Sequence, residues 1–165
     1  MSNTAKIIEA FRKGYEEAGN TTEVWYLSNR NQWQEAKAAF EQKDNILFAL
    51  PLYVENIPGI MLEFLAQLPP KPVPGTRIAF LLQGGFPEAS QSRCCEKYLE
   101  TLPAQLGCVY AGTLMKENMF GVSLMDEKNR AEILAPFTQM GRMAKKMGCR
   151  ERLDAKPYAH ILPSG

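Results

Sequence analysis

Tyr53, Glu55 and Asn56 stand close together in PLYVENIPG, residues 51–59, directly after the apolar run NILFAL. Tyr53 offers a flat ring and a hydroxyl, Glu55 a carboxylate, and Asn56 an amide that both donates and accepts hydrogen bonds. A second stretch, QGGFPEA at 83–89, follows another apolar run. Its Gly84 and Gly85 let backbone approach a ligand with no Cβ in the way, and Phe86 supplies a second ring. Taken together the two stretches suit a planar ligand. Each also has a plainer reading: Asn56 capping a helix with Pro58 in its first turn, and QGGFPEA as an ordinary turn. Other chemistry is thinly represented. Cys94, Cys95, Cys108 and Cys149 show no Cys-x-x-Cys spacing and no neighbouring histidine, so they read as reduced thiols in helices and a strand, with Cys94-Cys95 as a site open to oxidation. The one histidine, His160, lies in a proline-flanked tail and reads as a surface residue.

Elements that would carry these stretches can be read from periodicity. Ile7, Ile8, Phe11 and Tyr15 recur at helical spacing between Asn3 and Gly19, after the candidate caps Ser-Asn-Thr. TEVWYLS, 22–28, has the branched and aromatic content of a strand, and QWQEAKAAFEQ predicts a second helix. NILFAL, 45–50, is apolar on both faces and predicts a central parallel strand. Ile60, Phe64, Leu65 and Leu68 predict a helix that stops at PPKPVPG, 69–75, a connection within one domain. TRIAFLLQGG predicts another buried strand. Glu88–Leu106 predicts a helix with Tyr98, Leu99, Leu102 and Leu106 on one face, its end shortened or kinked by Pro103. CVYAGTLM, 108–115, predicts a fourth strand. A helix from about Lys128 to Gly148 follows, with Ile133, Phe137, Met140, Ala144 and Met147 inward and Pro136 bending its first turns. Strands alternating with helices predict a parallel sheet covered on both faces, whose ligand site lies beyond the carboxyl ends of the strands.

The chain has 165 residues, 45% hydrophobic and 22% charged, with a formal net charge of +1. That length fits one domain, 1–165. The balanced charge argues against a nucleic-acid partner. No apolar run reaches the roughly 20 residues that cross a bilayer, and MSNTAKIIEAF lacks the order of a signal peptide, so a cytoplasmic protein with no membrane partner is expected. DEK and AKKMGCRER read as exposed ends and faces of the last helix.

The succession SNTAKIIEAFRKGYEEAG, ILFALPLYVENIPGIMLEFLAQL and TRIAFLLQGGFPEASQSRCCEKYLETL resembles the flavodoxin-like NAD(P)H-dependent FMN reductase and flavoprotein family over most of the chain. The resemblance implies an α/β fold, a three-layer αβα flavodoxin-like parallel sheet. It implies FMN held by three loops. Ser2, Asn3 and Thr4 match the end of the phosphate loop; Pro51, Leu52, Tyr53, Val54, Glu55, Asn56 and Ile57 match the second loop, at the isoalloxazine; Gln83, Gly84, Gly85 and Phe86 match the third, also at the ring. It further implies NAD(P)H as electron donor, a small-molecule or flavin electron acceptor, no protein nucleophile and a homodimer. One departure stands out. Family members place a strand and the front half of the phosphate loop before Ser-Asn-Thr, and that N-terminal strand is absent here. An upstream start, direct pairing of the second strand with NILFAL, or insertion of PYAHIL near 158–162 would each account for it. The alternative function is a shortened flavodoxin-like domain without FMN, serving interaction or assembly.

Overall fold

The computed structural model describes residues 2–52, 56–72, 74–85 and 95–146. Helix α1 spans Asn3–Glu17. A 3-10 turn at Arg30–Gln32 leads into α2, Trp33–Gln42. Strand β1, Asn45–Pro51, is followed by the short helix α3, Gly59–Leu65, and by strand β2, Arg77–Gln83. Helix α4, Glu96–Gln105, strand β3, Val109–Lys116, a 3-10 turn at Phe120–Ser123 and helix α5, Glu127–Lys146, complete the order. None of the helices among the described residues is long and apolar enough to cross a membrane.

Among the described residues the sheet has three strands in the order β1-β2-β3, all parallel. Alternation along each strand splits the core in two. Ile46, Phe48 and Leu50 of β1 and Ile78, Phe80 and Leu82 of β2 face α2, α3 and α4, where Trp33, Phe40, Phe64 and Leu99 meet them. Leu47, Ala49 and Leu81 point the other way, toward Ile7 of α1 and Phe137 of α5. This is the three-layer α/β arrangement expected from the alternation. Strand β3 keeps both faces in register by a bulge: Ala111 is skipped between the pairs Ile78–Tyr110 and Ala79–Gly112, and Gly112 takes a φ of 130° there.

Two strand expectations fail. TEVWYLS forms no strand, and among the described residues NILFAL lies at the edge of the sheet, the central strand being β2. A strand exists only where a neighbour completes its ladder, and among the described residues β1 pairs with β2 alone. The 20–28 segment is tied down by side chains instead. Tyr26 N–H donates to Gln32 Oε1 at 2.7 Å, the Trp33 indole donates to the Leu27 carbonyl at 2.8 Å, Arg12 Nε donates to Thr22 Oγ1 at 2.8 Å, and Lys43 pairs with Glu23. Trp25 and Leu27 pack on the first cluster, so the composition that suggests a strand reflects packing and not pairing. Among the described residues no strand precedes α1.

Smaller differences follow the same logic. Pro103 sits inside the last turn of α4 and is buried with Leu99 and Leu102, whereas Tyr98 lies exposed and off that face. Cys95 and Cys108 are buried in the first cluster, where burial pushes the Cys108 thiol pKa up. Phe137 and Met140 face inward on α5 as expected, with Pro136 accommodated inside the helix. Residues 86–94, Met147, Cys149, the 158–162 stretch and His160 lie outside the described residues.

Helices α1 and α5 run side by side in the same direction, closer than ordinary side chains permit. A Cβ added to Gly14 would fall on the Thr138 carbonyl oxygen, and one on Gly141 would fall on the Phe11 carbonyl oxygen. Each helix thus presents a glycine to the other's backbone, and Arg142 Nε closes the seam on Glu17 at 2.6 Å. A mid-helix glycine costs about 1 kcal/mol against alanine, so Gly14 is retained for this approach. Gly14→Ala is therefore expected to destabilise the fold by about 1–3 kcal/mol in chemical denaturation, despite its gain in helix propensity. Gly59→Ala, where nothing lies within 4 Å of the added methyl, should instead be neutral or stabilise by up to about 1 kcal/mol. Equal effects of the two substitutions would contradict the packing argument.

Candidate functional site

The two ends of the sheet differ. At the amino end the chain closes on itself: Lys71 Nζ donates to the Lys43 carbonyl at 2.6 Å and to Thr76 Oγ1 at 2.7 Å, and the Arg77 N–H donates to the Asp44 carbonyl at 2.7 Å. At the carboxyl end, Pro51, Gln83 and Lys116 lie side by side in register, and the loops that follow them are stitched together. The Leu52 N–H donates to the Gln83 carbonyl at 2.9 Å and the Gly84 N–H to the Lys116 carbonyl at 2.9 Å. The Met119 N–H then returns to the Gly84 carbonyl at 3.0 Å.

The start of α1 joins this rim. Asn3 Nδ2 donates to the Met119 carbonyl at 2.6 Å, and Ser123 Oγ donates to Asn3 Oδ1 at 2.8 Å. Lys6 Nζ reaches Ser123 Oγ at 2.7 Å, which brings a cation to the same end of the helix. Ser2 is the N-cap, its Oγ accepting from the Ala5 N–H at 3.2 Å. Thr4 lies in the first turn, where helical N–H groups have no intrahelical partner. Of the residues expected at a site, the described ones Ser2, Asn3, Thr4, Pro51, Leu52, Gln83, Gly84 and Gly85 are thus brought to one end of the molecule.

Asn56 and Ile57 behave differently. Asn56 is exposed, and its Oδ1 accepts from the Ile57 N–H at 2.8 Å; it does not cap α3, whose N-cap position is held by Pro58. Pro58 therefore precedes the helix and is not in its first turn. Ile57 is buried in the core below the loop. Tyr53, Val54, Glu55 and Phe86 lie outside the described residues.

Gly84 has a role that the sequence does not announce. Both of its backbone groups are used within the chain, by Lys116 and Met119, and the space its Cβ would fill is taken by the Glu117 carboxylate. Gly85 is bordered by Phe120, whose Cβ and Cδ2 would lie 3.8 and 3.9 Å from a Cβ added to the glycine. The 116–120 segment folds back over the glycine pair through Asn118, a non-glycine residue at a φ of 60°. Asparagine tolerates that left-handed conformation better than most residues. Glu117 and Phe120 are absent from the sequence-based site because KENMFGVSLMDEK carries no periodicity. Lys6 is absent because its reach to Ser123 is a tertiary contact.

Burial pushes the Glu117 pKa up, outweighing the opposing pull of Lys116. A carboxyl with a folded pKa above its unfolded value holds more protons when folded. Stability then declines as pH rises from the unfolded value, near 4.5, through the folded one. Glu117→Gln should remove that decline: the variant is expected to match the wild type at the acid end and to exceed it above the window, in denaturation curves taken across pH. Parallel curves would show that the carboxyl is fully solvated.

No protein-family model matches the chain, and no curated protein matches its sequence. Solved structures do match in fold. An NAD(P)H:quinone oxidoreductase from Methanothermobacter marburgensis superposes with a TM-score of 0.68 at 16% identity, over 88% of this chain and 93% of that one. An NADH:FMN oxidoreductase in its apo form gives 0.64 at 19% identity, over 87% and 82%. General stress protein 14 from Treponema denticola, in complex with FMN, gives 0.58 at 12% identity, over 88% and 92%. The chain therefore has a three-layer flavodoxin-like fold of the kind found in these FMN- and NAD(P)H-linked proteins.

Proposed function

We propose that the chain is an FMN-dependent oxidoreductase that takes electrons from NAD(P)H and passes them to a small-molecule or flavin acceptor. The observation that carries this reading is the common rim: the start of α1, the loop after β1 and the loop after β2 are joined there by consecutive hydrogen bonds. The fold shared with two proteins named as NAD(P)H- or NADH-linked oxidoreductases and with a third found in complex with FMN supports it. FMN when bound would supply the hydride and electron chemistry, leaving the protein to bind, orient and exclude water.

The residues present suit that group. A phosphate at the start of α1 meets first-turn N–H groups, the Thr4 hydroxyl, the positive end of the helix dipole and the Lys6 ammonium, with no acidic side chain in that turn. Pro51 and Leu52 would border the ring beside Tyr53, Val54, Glu55 and Asn56, and Gly85 and Phe86 would border it from the β2 side. A homodimer completing the site belongs to the same reading.

One observation favours the second reading, a domain of this fold that serves interaction or assembly without FMN. The Asn3 amide is already engaged on both sides, its Nδ2 by the Met119 carbonyl and its Oδ1 by Ser123, which fixes its orientation and leaves at most one of its two N–H donors for phosphate. Titration of FMN and of riboflavin, followed by quenching of flavin fluorescence, separates the two. FMN should be quenched, and Thr4→Glu should weaken FMN by about tenfold or more while leaving riboflavin unchanged, since the new charge repels only the phosphate. The same substitution should leave stability unchanged or raise it by about 0.3–1 kcal/mol, as an acid in a first helical turn. Unquenched FMN would leave the assembly reading standing.

A further inference from the structure

Strand β1 has a free edge. The Arg77 N–H donates to the Asp44 carbonyl and the Leu52 N–H to the Gln83 carbonyl, and backbone groups alternate sides along a strand, so the even-numbered residues from 44 to 52 face β2. Asn45, Leu47 and Ala49 face the other way, and among the described residues no backbone partner meets their N–H and C=O groups. A free edge is a template for another strand, and folded proteins blunt one with a bulge, a charge or a proline. β3, the other edge among the described residues, has the bulge at Gly112 and ends on Lys116. β1 keeps an unbroken register with β2 and is apolar from Ile46 to Leu50, with Pro51 only at its last position. Such an edge calls for a cover. The 20–28 segment is not that cover, since its Tyr26 N–H and Leu27 carbonyl are taken by Gln32 and Trp33.

Handedness decides where a cover can come from. β1, α3, β2, α4 and β3 step across the sheet one way, with α3 and α4 on the face of the first cluster through Phe64 and Leu99. Helix α5 lies on the opposite face, through Phe137 and Met140. Crossovers between parallel strands are right-handed in about 98% of cases, so a parallel strand that follows α5 must step back across the sheet, and the free edge in that direction is that of β1. Direction agrees. α5 starts after the rim turn at Phe120–Ser123 and over its 20 residues descends to the amino end of the sheet, where a parallel strand has to begin. Residues 147–156 can span up to about 33–36 Å before pairing starts, against the roughly 8–10 Å between neighbouring packed helices. Beyond them Tyr158, Ala159, His160, Ile161 and Leu162 make an uncharged run of strand composition, with Pro157 and Pro163 at its limits, where a missing N–H is tolerated.

We infer that residues 158–162 of this chain pair in parallel with the outer edge of β1, adding a strand beside it. The pairing supplies partners for the backbone groups of Leu47 and Ala49, and it stands whether or not FMN binds.

The test uses the full-length, isotope-labelled chain. NMR should show slow hydrogen exchange at the Leu47 and Ala49 amides, and cross-strand NOE contacts from these two residues to 158–162 within one molecule. His160→Pro and Ile161→Pro then act as a pair. Neighbouring N–H groups point to opposite sides of a strand, so only one of the two substitutions deletes a bond to β1, while the N–H lost in the other points away from it. One should speed exchange at Leu47 and Ala49 by about tenfold or more and the other clearly less, with the Leu81 amide between β1 and β2 unaffected in both. Fast exchange at Leu47 and Ala49 in the wild type, contacts that appear only between a labelled and an unlabelled copy, or equal rates in the wild type and both variants would each overturn the pairing. The second of these results would assign the edge to another copy of the chain.

Discussion

Met119 is the residue on which the rim depends. Its N–H reaches the Gly84 carbonyl and its own carbonyl accepts from Asn3 Nδ2, so one buried residue joins the β2 loop, the β3 loop and the start of α1. A buried peptide left unpaired on either side would cost about 1–3 kcal/mol, and the two bonds remove that cost while fixing three chain segments against each other. The loop after β1 enters the same set through Leu52 and Gln83.

The glycine seam between α1 and α5 supports this junction from below. Because Gly14 and Gly141 each admit the facing backbone, α1 sits close on α5 and cannot slide without losing contact along its length. The start of α1 is then held in position by packing as well as by Asn3. With the amino end of the sheet closed by Lys71, Thr76 and Asp44, the molecule presents one open, chemically varied end. That asymmetry gives the carboxyl rim its claim as the functional end, independently of any likeness to other proteins.

Much of this was legible in the sequence, and the reasons for the rest are specific. Apolar alternation in NILFAL and RIAFLLQ locates β1 and β2 because side chains on both faces of each strand must be covered, and helical spacing locates α1, α2 and α5 for the same kind of reason. TEVWYLS misleads because branched and aromatic residues suit any half-buried extended chain, and whether a ladder forms is decided by a neighbour and not by the segment itself. NILFAL appears central for a related reason: apolar content reports burial, not strand order. Gly84 and Gly85 stand out in the sequence, but what fills the space beside Gly84 is the Glu117 carboxylate, from a turn distant in sequence. Glu117, Phe120 and Lys6 have no local pattern; only the fold-back through Asn118 and the contact with Ser123 give them a place.

The central claim is that a flat flavin is gripped at the carboxyl rim, where α1, β1 and β2 deliver their loops. The most direct measurement is to map bound FMN onto the backbone amides of the isotope-labelled chain. The account predicts shifts concentrated at Asn3, Thr4, Leu52 and Gly85, with Lys71, Thr76 and Gly107 at the opposite end unmoved. Shifts centred on that opposite end, or no saturable shift anywhere, would contradict it.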